Sequence, residues 1–277
     1  MLVAAMGFAT MAAMIKLVSP ILPNPMIVFA RNLFALIALL PWIRFHHHGL
    51  SLRTGCFRYH LIRSVSGLAA MYLFFYTIGH MQLGEAVLLG FTSPLFIPLI
   101  AWIWIKEPLS ARIWGAVGVG FAGVVLIMRP ASGVFQPIAL LGLMAGAFAA
   151  IAMVSIRRMS ASEPAVRIVF YFSLLSTVIS AIPALIAWQQ PSTDMLATLA
   201  LIGMLAAWSQ LMLTKAYSLA PAAQVGVFGY SNVVFSSLIG WMFWEERLYL
   251  TTILGAVLIA LAGVMTSFAA RKRHPIH

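Results

Sequence analysis

Residues Glu85–Leu109 read EAVLLGFTSPLFIPLIAWIWIKEPL, and Gln224–Leu248 read QVGVFGYSNVVFSSLIGWMFWEERL. Laid on each other with an offset of 139 positions, they share seven identities in 25: Gly90/Gly229, Phe96/Phe235, Leu99/Leu238, Ile100/Ile239, Trp102/Trp241, Glu107/Glu246 and Leu109/Leu248. Chance with this composition gives about two. One residue further on, Gly115-Ala-Val117 matches Gly255-Ala-Val257, and Ala122-Gly-Val124 matches Ala262-Gly-Val264. Earlier in the chain, Ile27-Val-Phe29 recurs as Ile168-Val-Phe170. The 277-residue chain therefore reads as two copies of one unit, set at residues 1–130 and 131–277.

Composition says what surrounds the copies. The chain is 62% hydrophobic and 8% charged, with 17 Lys+Arg against 6 Asp+Glu. A soluble domain carries about 25% charged residues, so this chain cannot cover a water-facing surface of its own size. A soluble enzyme and a disordered chain are both excluded. Apolar runs long enough to cross a bilayer lie at 2–18, 26–43, 64–84, 86–105, 113–128, 130–156, 168–193, 195–214, 216–244 and 248–270. They are continuous rather than alternating, so they predict helices and not a β-barrel. Ten spans make five per copy. Because five is odd, the copies enter the membrane in opposite senses, the inverted-repeat architecture of many secondary transporters. No cleavable signal peptide is expected, since no basic region precedes the first apolar run. The single Cys56 excludes an internal disulfide.

With the N-terminus inside, the inner links hold Arg44, Arg53, Arg58, Arg63, Lys106, Arg112, Arg157, Arg158, Arg167, Lys215, Arg271, Lys272 and Arg273. The outer links hold Arg129 and Arg247. The positive-inside rule then predicts both termini cytoplasmic. The net charge of +11 records topology, and no nucleic-acid partner is expected.

Several short motifs recur in a fixed order. Pro25 and Phe29-Ala-Arg31 open the second span, and Phe91-Thr-Ser-Pro94 lies in the fourth. Glu107-Pro-Leu109 and Glu246-Arg-Leu248 close the fourth and ninth, and Arg129-Pro130 follows the fifth. In these motifs and in its ten-span layout the chain resembles the drug/metabolite transporter superfamily, specifically its EamA-type ten-helix branch, from about Met6 to Arg273. The resemblance implies a secondary transporter, a facilitator or exchanger working by alternating access in the cytoplasmic membrane. Its substrates would be small metabolites such as amino acids or related compounds. It implies no enzyme activity and no cofactor, and a monomer or homodimer. The alternatives are a lipid-linked-sugar flippase and a non-transporting membrane scaffold or enzyme.

Candidate site residues are the polar groups inside spans. Arg31 and Lys16 are cations in the second and first spans, and a cation in hydrocarbon faces protein or a water-filled cavity. Arg31 reads as a clamp on a substrate carboxylate or phosphate, against the plainer roles of snorkelling or pairing with Glu85. Tyr72, Tyr76 and His80 fall at i, i+4 and i+8 on one face of the third span. Thr92 and Ser93 lie in the fourth, Trp208, Gln210 and Thr214 in the eighth, and Gln224, Phe228, Tyr230, Ser231 and Asn232 in the ninth. Together they describe an aromatic pocket with a few amides and hydroxyls; the plainer reading is interhelical packing. Glu85 with His80 is the candidate proton-linked pair, although a carboxylate at a helix start is also favoured by the helix dipole. Pro94 and Pro98 predict a break in the fourth span. Gly118-Val-Gly-Phe-Ala-Gly123 and Gly142/Gly146 read as small-residue packing. His46-His-His48 and His60 are not expected to hold metal.

Overall fold

The computed structural model describes residues 1–46, 53–105, 111–128, 137–159, 162–219, 231–247 and 249–271. Among them are eleven α-helices and no strand. In chain order these are α1 Leu2–Val18, α2 Asn24–His46, α3 Phe57–His80, α4 Leu83–Gly90, α5 Ser93–Ile105, α6 Ala111–Met128, α7 Ile138–Met159, α8 Ala165–Ile186, α9 Thr193–Leu219, α10 Ser231–Trp244 and α11 Leu250–Arg271. Six spans are apolar and long enough to cross a bilayer, at 24–41, 57–80, 83–104 (across α4 and α5), 138–156, 166–186 and 193–213. Shorter apolar helices cover 2–18, 111–127 and 250–265. Of the expected ninth span, 231–244 is helical and 220–230 lies outside the described residues.

Besides α8, which ends at Ile186, and α9, which runs on through Lys215 to Leu219, two boundaries differ from the sequence reading in ways that bear on the site. The third span was set to begin after Arg63, yet α3 starts at Phe57 and carries Arg63 in its second turn. The charge is tolerated because its guanidinium lies over the Phe172 ring, 3.9 Å from the centroid, a cation–π contact. The fourth span is two helices. α4 stops at Gly90, and α5 begins at Ser93, where Pro94 supplies no amide donor. Thr92 turns the chain here, its hydroxyl donating to Leu89 O at 2.6 Å beside its own N–H at 3.1 Å. Gly142 and Gly146 of α7 lie against this break, and a Cβ at Gly146 would stand 3.1 Å from the Leu89 carbonyl oxygen. The glycine pair thus packs as its small size predicts.

The larger helix–helix contacts all join one of α1–α6 to one of α7–α11. α6 packs on α11, α2 on α8, and α4 on α10. α3 on α7 is matched by α9 on α1, and α2 on α9 by α8 on α3. At the α6–α11 crossing the two backbones come together. A Cβ at Gly123 would lie 2.7 Å from Gly255 O, and one at Gly255 would lie 2.6 Å from Gly123 O. Bare glycines let the two backbones touch. The buried core runs through α1, α2, α3 and α4, with Ile15, Ile27, Ile78, Leu83, Leu88, Leu89 and Ile202 of α9 almost fully enclosed. Trp102 and Trp241 are exposed near the ends of α5 and α10, where interfacial indoles belong.

Candidate functional site

A narrow cleft opens between α2, α8 and α9. Its walls are three helical stripes. α2 contributes Arg31, Ala35 and Leu39 at i, i+4 and i+8; α8 contributes Val169, Phe172 and Ser173; α9 contributes Ala206, Ala207 and Gln210. One turn earlier on the same α9 face, a Cβ at Gly203 would lie 2.9 Å from the Ala35 amide nitrogen. Glycine brings α9 onto α2 there, and the small alanines below leave the space open. The offset that aligns Ile27-Val-Phe29 with Ile168-Val-Phe170 sets Arg31 on Phe172 and Asn32 on Ser173. Positions that this offset aligns therefore meet across the cleft, a cation on α2 and a ring on α8.

Arg31 is 4% exposed. Its Nη1 donates to Asn32 Oδ1 at 2.9 Å, and Asn32 is held by donating its own amide to Val28 O at 2.9 Å. Arg31 Nε has no hydrogen-bond partner, and no carboxylate forms an ion pair with the guanidinium, among the described residues. A buried guanidinium satisfied only by a neutral amide bears an uncompensated charge, costly in a low-dielectric bundle. Such a group is suited to receive an anion from outside the chain.

Among the described residues, Gln210 is the one other expected residue that shares this cleft. Lys16 lies at the opposite reach of α1, where it ion-pairs with Glu246 and donates to Met81 O at 2.7 Å. The Trp244 ring centroid is 5.5 Å from its Nζ. Both Glu246 oxygens accept the Leu83 N–H at the start of α4, at 3.0 and 2.8 Å. Glu85 is buried on α4 and accepts from Thr252 Oγ1 of α11 at 2.7 Å. His80 is exposed, bonded to Tyr76 O at 2.8 Å and stacked on the Tyr76 ring at 4.1 Å. Glu85 and His80 thus engage different partners. Tyr72 is half-buried, with its hydroxyl unpartnered among the described residues. Thr92 is enclosed at the α4–α5 break, and Trp208 is exposed beside Gly7. Asn232 is buried on α10 near the Ser236 hydroxyl, 3.4 Å away. Tyr230, Gln224 and Phe228 lie outside the described residues, as do the side chains of Thr214 and of His46-His-His48. His60 is buried, its ring tilted against Tyr171 with centroids 4.5 Å apart.

Sequence reasoning missed Arg63, Phe172 and Ser173. Arg63 was counted as a link charge. Phe172 and Ser173 were hidden in an apolar run, and the repeat alignment to Arg31-Asn32 was the signal that pointed to them.

The end opposite Lys16 has its own clasp. Glu163, in the link before α8, accepts from Thr54 Oγ1 and from Arg167 Nη1, each at 2.6 Å. Desolvation pushes its carboxyl up, but the bonds from Thr54 and Arg167 and the charges of Arg167 and His60 outweigh it and hold it below the usual value. A carboxyl depressed by folding adds stability above its unfolded value, about 4.3. That contribution is lost as pH falls through the folded value. Melting curves between about pH 6 and pH 3 are expected to fall more steeply for the wild type than for Glu163→Gln. Parallel curves would mean that the clasp adds nothing.

The apolar helices, the packed glycines and an interior cleft with a buried, uncompensated cation define a multi-pass membrane transporter of small molecules. The sequence pattern of the EamA-like transporter family matches residues 1–129 and again 136–268, and the chain belongs to that family. It is 33% identical over 269 residues to the pseudopaline exporter of Pseudomonas aeruginosa, covering 95% of this chain and 93% of that one. It is 27% identical to the riboflavin transporter of Vibrio cholerae, over 91% of this chain and 85% of the relative. Identity to the S-adenosylmethionine uptake transporter of Rickettsia felis is 26%, over 89% and 83%. A crystal structure with 18% sequence identity superposes with a TM-score of 0.62, over 97% of this chain and 98% of that one, and shares the fold. The family consists of transporters, not enzymes.

Proposed function

We propose that the protein carries a small organic metabolite bearing an anionic group, amino acids and related compounds included, across a cytoplasmic membrane by alternating access. The observation that supports this is Arg31, buried in the cleft with a neutral partner alone. Arg31 clamps the substrate carboxylate, Gln210 bonds its polar part, and Phe172 with the alanines packs its apolar part. The two five-helix copies, 1–130 and 131–277, are inverted repeats with both termini cytoplasmic. The matched packing of α2 on α8 and of α6 on α11 supports that reading, and rocking of one copy against the other exposes the cleft to each side in turn. The Lys16–Glu246 pair then closes the outer end, and Lys16 reaches substrate only when that pair opens.

Flux into liposomes containing the purified protein tests the reading. Amino acids, organic acids, nucleosides and riboflavin are offered singly. Saturable, temperature-dependent flux of carboxylate-bearing compounds, with trans-stimulation by the same compound, is the expected result. Flux of neutral nucleosides alone, or lipid scrambling without solute flux, would overturn it.

A further inference from the structure

Arg31 is not the only unneutralised cation at this junction. Arg63 lies on α3, and the Phe172 ring that walls the cleft carries the Arg63 guanidinium against it. Phe172 therefore lines one cleft with Arg31 while its face carries Arg63. Gly67, one turn along α3, makes room for this: a Cβ there would collide with Arg63 Nη1 and lie 2.9 Å from the Phe172 ring. Arg63 Nε is buried without a hydrogen-bond partner among the described residues, and so are the hydroxyls of Ser64 on the same α3 face and Ser176 one turn beyond Phe172. Neither arginine forms an ion pair with a carboxylate among the described residues.

Two like charges held together in a low-dielectric interior destabilise each other. A fold meant only to pack would relieve this with an acid or lose one of the cations. A ligand with one negative charge neutralises half of the pair, and a ligand with two neutralises all of it. We propose that Arg31 and Arg63 form one paired cationic site whose substrate is dianionic, a dicarboxylate or a compound with two acidic groups, with Phe172 as the ring between them. This rests on the reading of Arg31 as an anion clamp and assigns Arg63 as a specificity-determining residue beside it.

The test compares succinate with butyrate, which has the same chain length and one carboxylate fewer. Unfolding of the full-length protein in detergent is followed with each, against chloride at matched ionic strength. A ligand that binds only the folded state raises the unfolding temperature in proportion to its saturation. Succinate is expected to act at about one-tenth the concentration that butyrate requires, since a second charged contact is worth about tenfold. Arg63→Gln is expected to reduce succinate to the level of butyrate, and Arg63→Lys to restore the difference. Arg31→Gln removes both responses.

Equal action of the two acids on the wild type, a comparison that needs no variant, would overturn the dianion proposal and leave the clamp standing. An unchanged succinate preference in Arg63→Gln would do the same. A butyrate response that survives in Arg31→Gln would instead remove the clamp on which the proposal rests. No response to either acid in the wild type would count against both.

Discussion

Alanine in place of Arg31 is expected to lower the flux of a carboxylate substrate by at least about thirtyfold while leaving the unfolding temperature unchanged or raised. The argument has two parts. A charge-assisted bond from a desolvated guanidinium to a carboxylate is worth about 2 kcal/mol or more, which sets the loss of flux. Stability moves the other way, because the unliganded protein holds this charge with a single neutral acceptor, Asn32 Oδ1, and Nε bonded to nothing among the described residues. Removing an uncompensated buried charge costs little and often stabilises. The alternative, in which Arg31 is a structural pillar, makes the opposite pairing: a fall in unfolding temperature, with flux lost only in proportion to folded protein. Measuring both quantities on one preparation separates the two. A thermal destabilisation accompanied by normal flux per folded molecule would end the clamp idea.

The architecture was legible in the sequence for a simple physical reason. Hydrocarbon forces every backbone bond to be made within a segment, so apolar length alone announces a helix, and the break at Phe91–Thr92 announces itself through Pro94. The small-residue motifs were equally open, since Gly123 and Gly255, each in a Gly/Ala-rich stretch of its span, pack backbone to backbone. Site reading was less complete. Arg31 and Gln210, which the fold places on one cleft, stand out in the sequence because polar groups in apolar runs are conspicuous. Arg63 does not, because its position beside Arg58 looks like a link charge, and only the ring of Phe172, more than a hundred residues away in sequence, draws it into the bundle. Lys16 was equally conspicuous, and its pairing with Glu246 is a contact between the first helix and the link that follows α10, which no local pattern encodes. Charge inside a span marks a polar environment; whether the counter-charge comes from the chain or from a ligand is a tertiary fact.

Glu246→Ala is expected to destabilise the protein by about 3–5 kcal/mol, the usual consequence of removing one partner of a buried ion pair. The pair is only 13% and 11% exposed, so water cannot replace the missing carboxylate fully. The same substitution strips the Leu83 N–H of its side-chain acceptor at the start of α4, where a negative charge is favoured by the helix dipole. The carboxylate reaches this position through a tight return of the chain. Glu245 adopts a left-handed backbone, φ 54°, and Gly240 leaves free the space that the Glu246 carboxylate fills. Lys16→Met alone is expected to cost less, because Glu246 keeps the Leu83 bonds, and Lys16→Met/Glu246→Met should recover part of the loss by leaving no unpaired charge. A double-mutant cycle with no coupling between the two positions would show that the pair is energetically silent. The pair also joins α1 to the link after α10, so its loss should favour opening at this end. With Cys56→Ser as background, a cysteine introduced by Gln82→Cys is expected to react with a water-soluble maleimide at least about tenfold faster in Glu246→Ala than in its parent, a shift of about 1.4 kcal/mol in the opening equilibrium. Equal labelling rates would assign the pair to stability alone and leave closure of this end to other contacts.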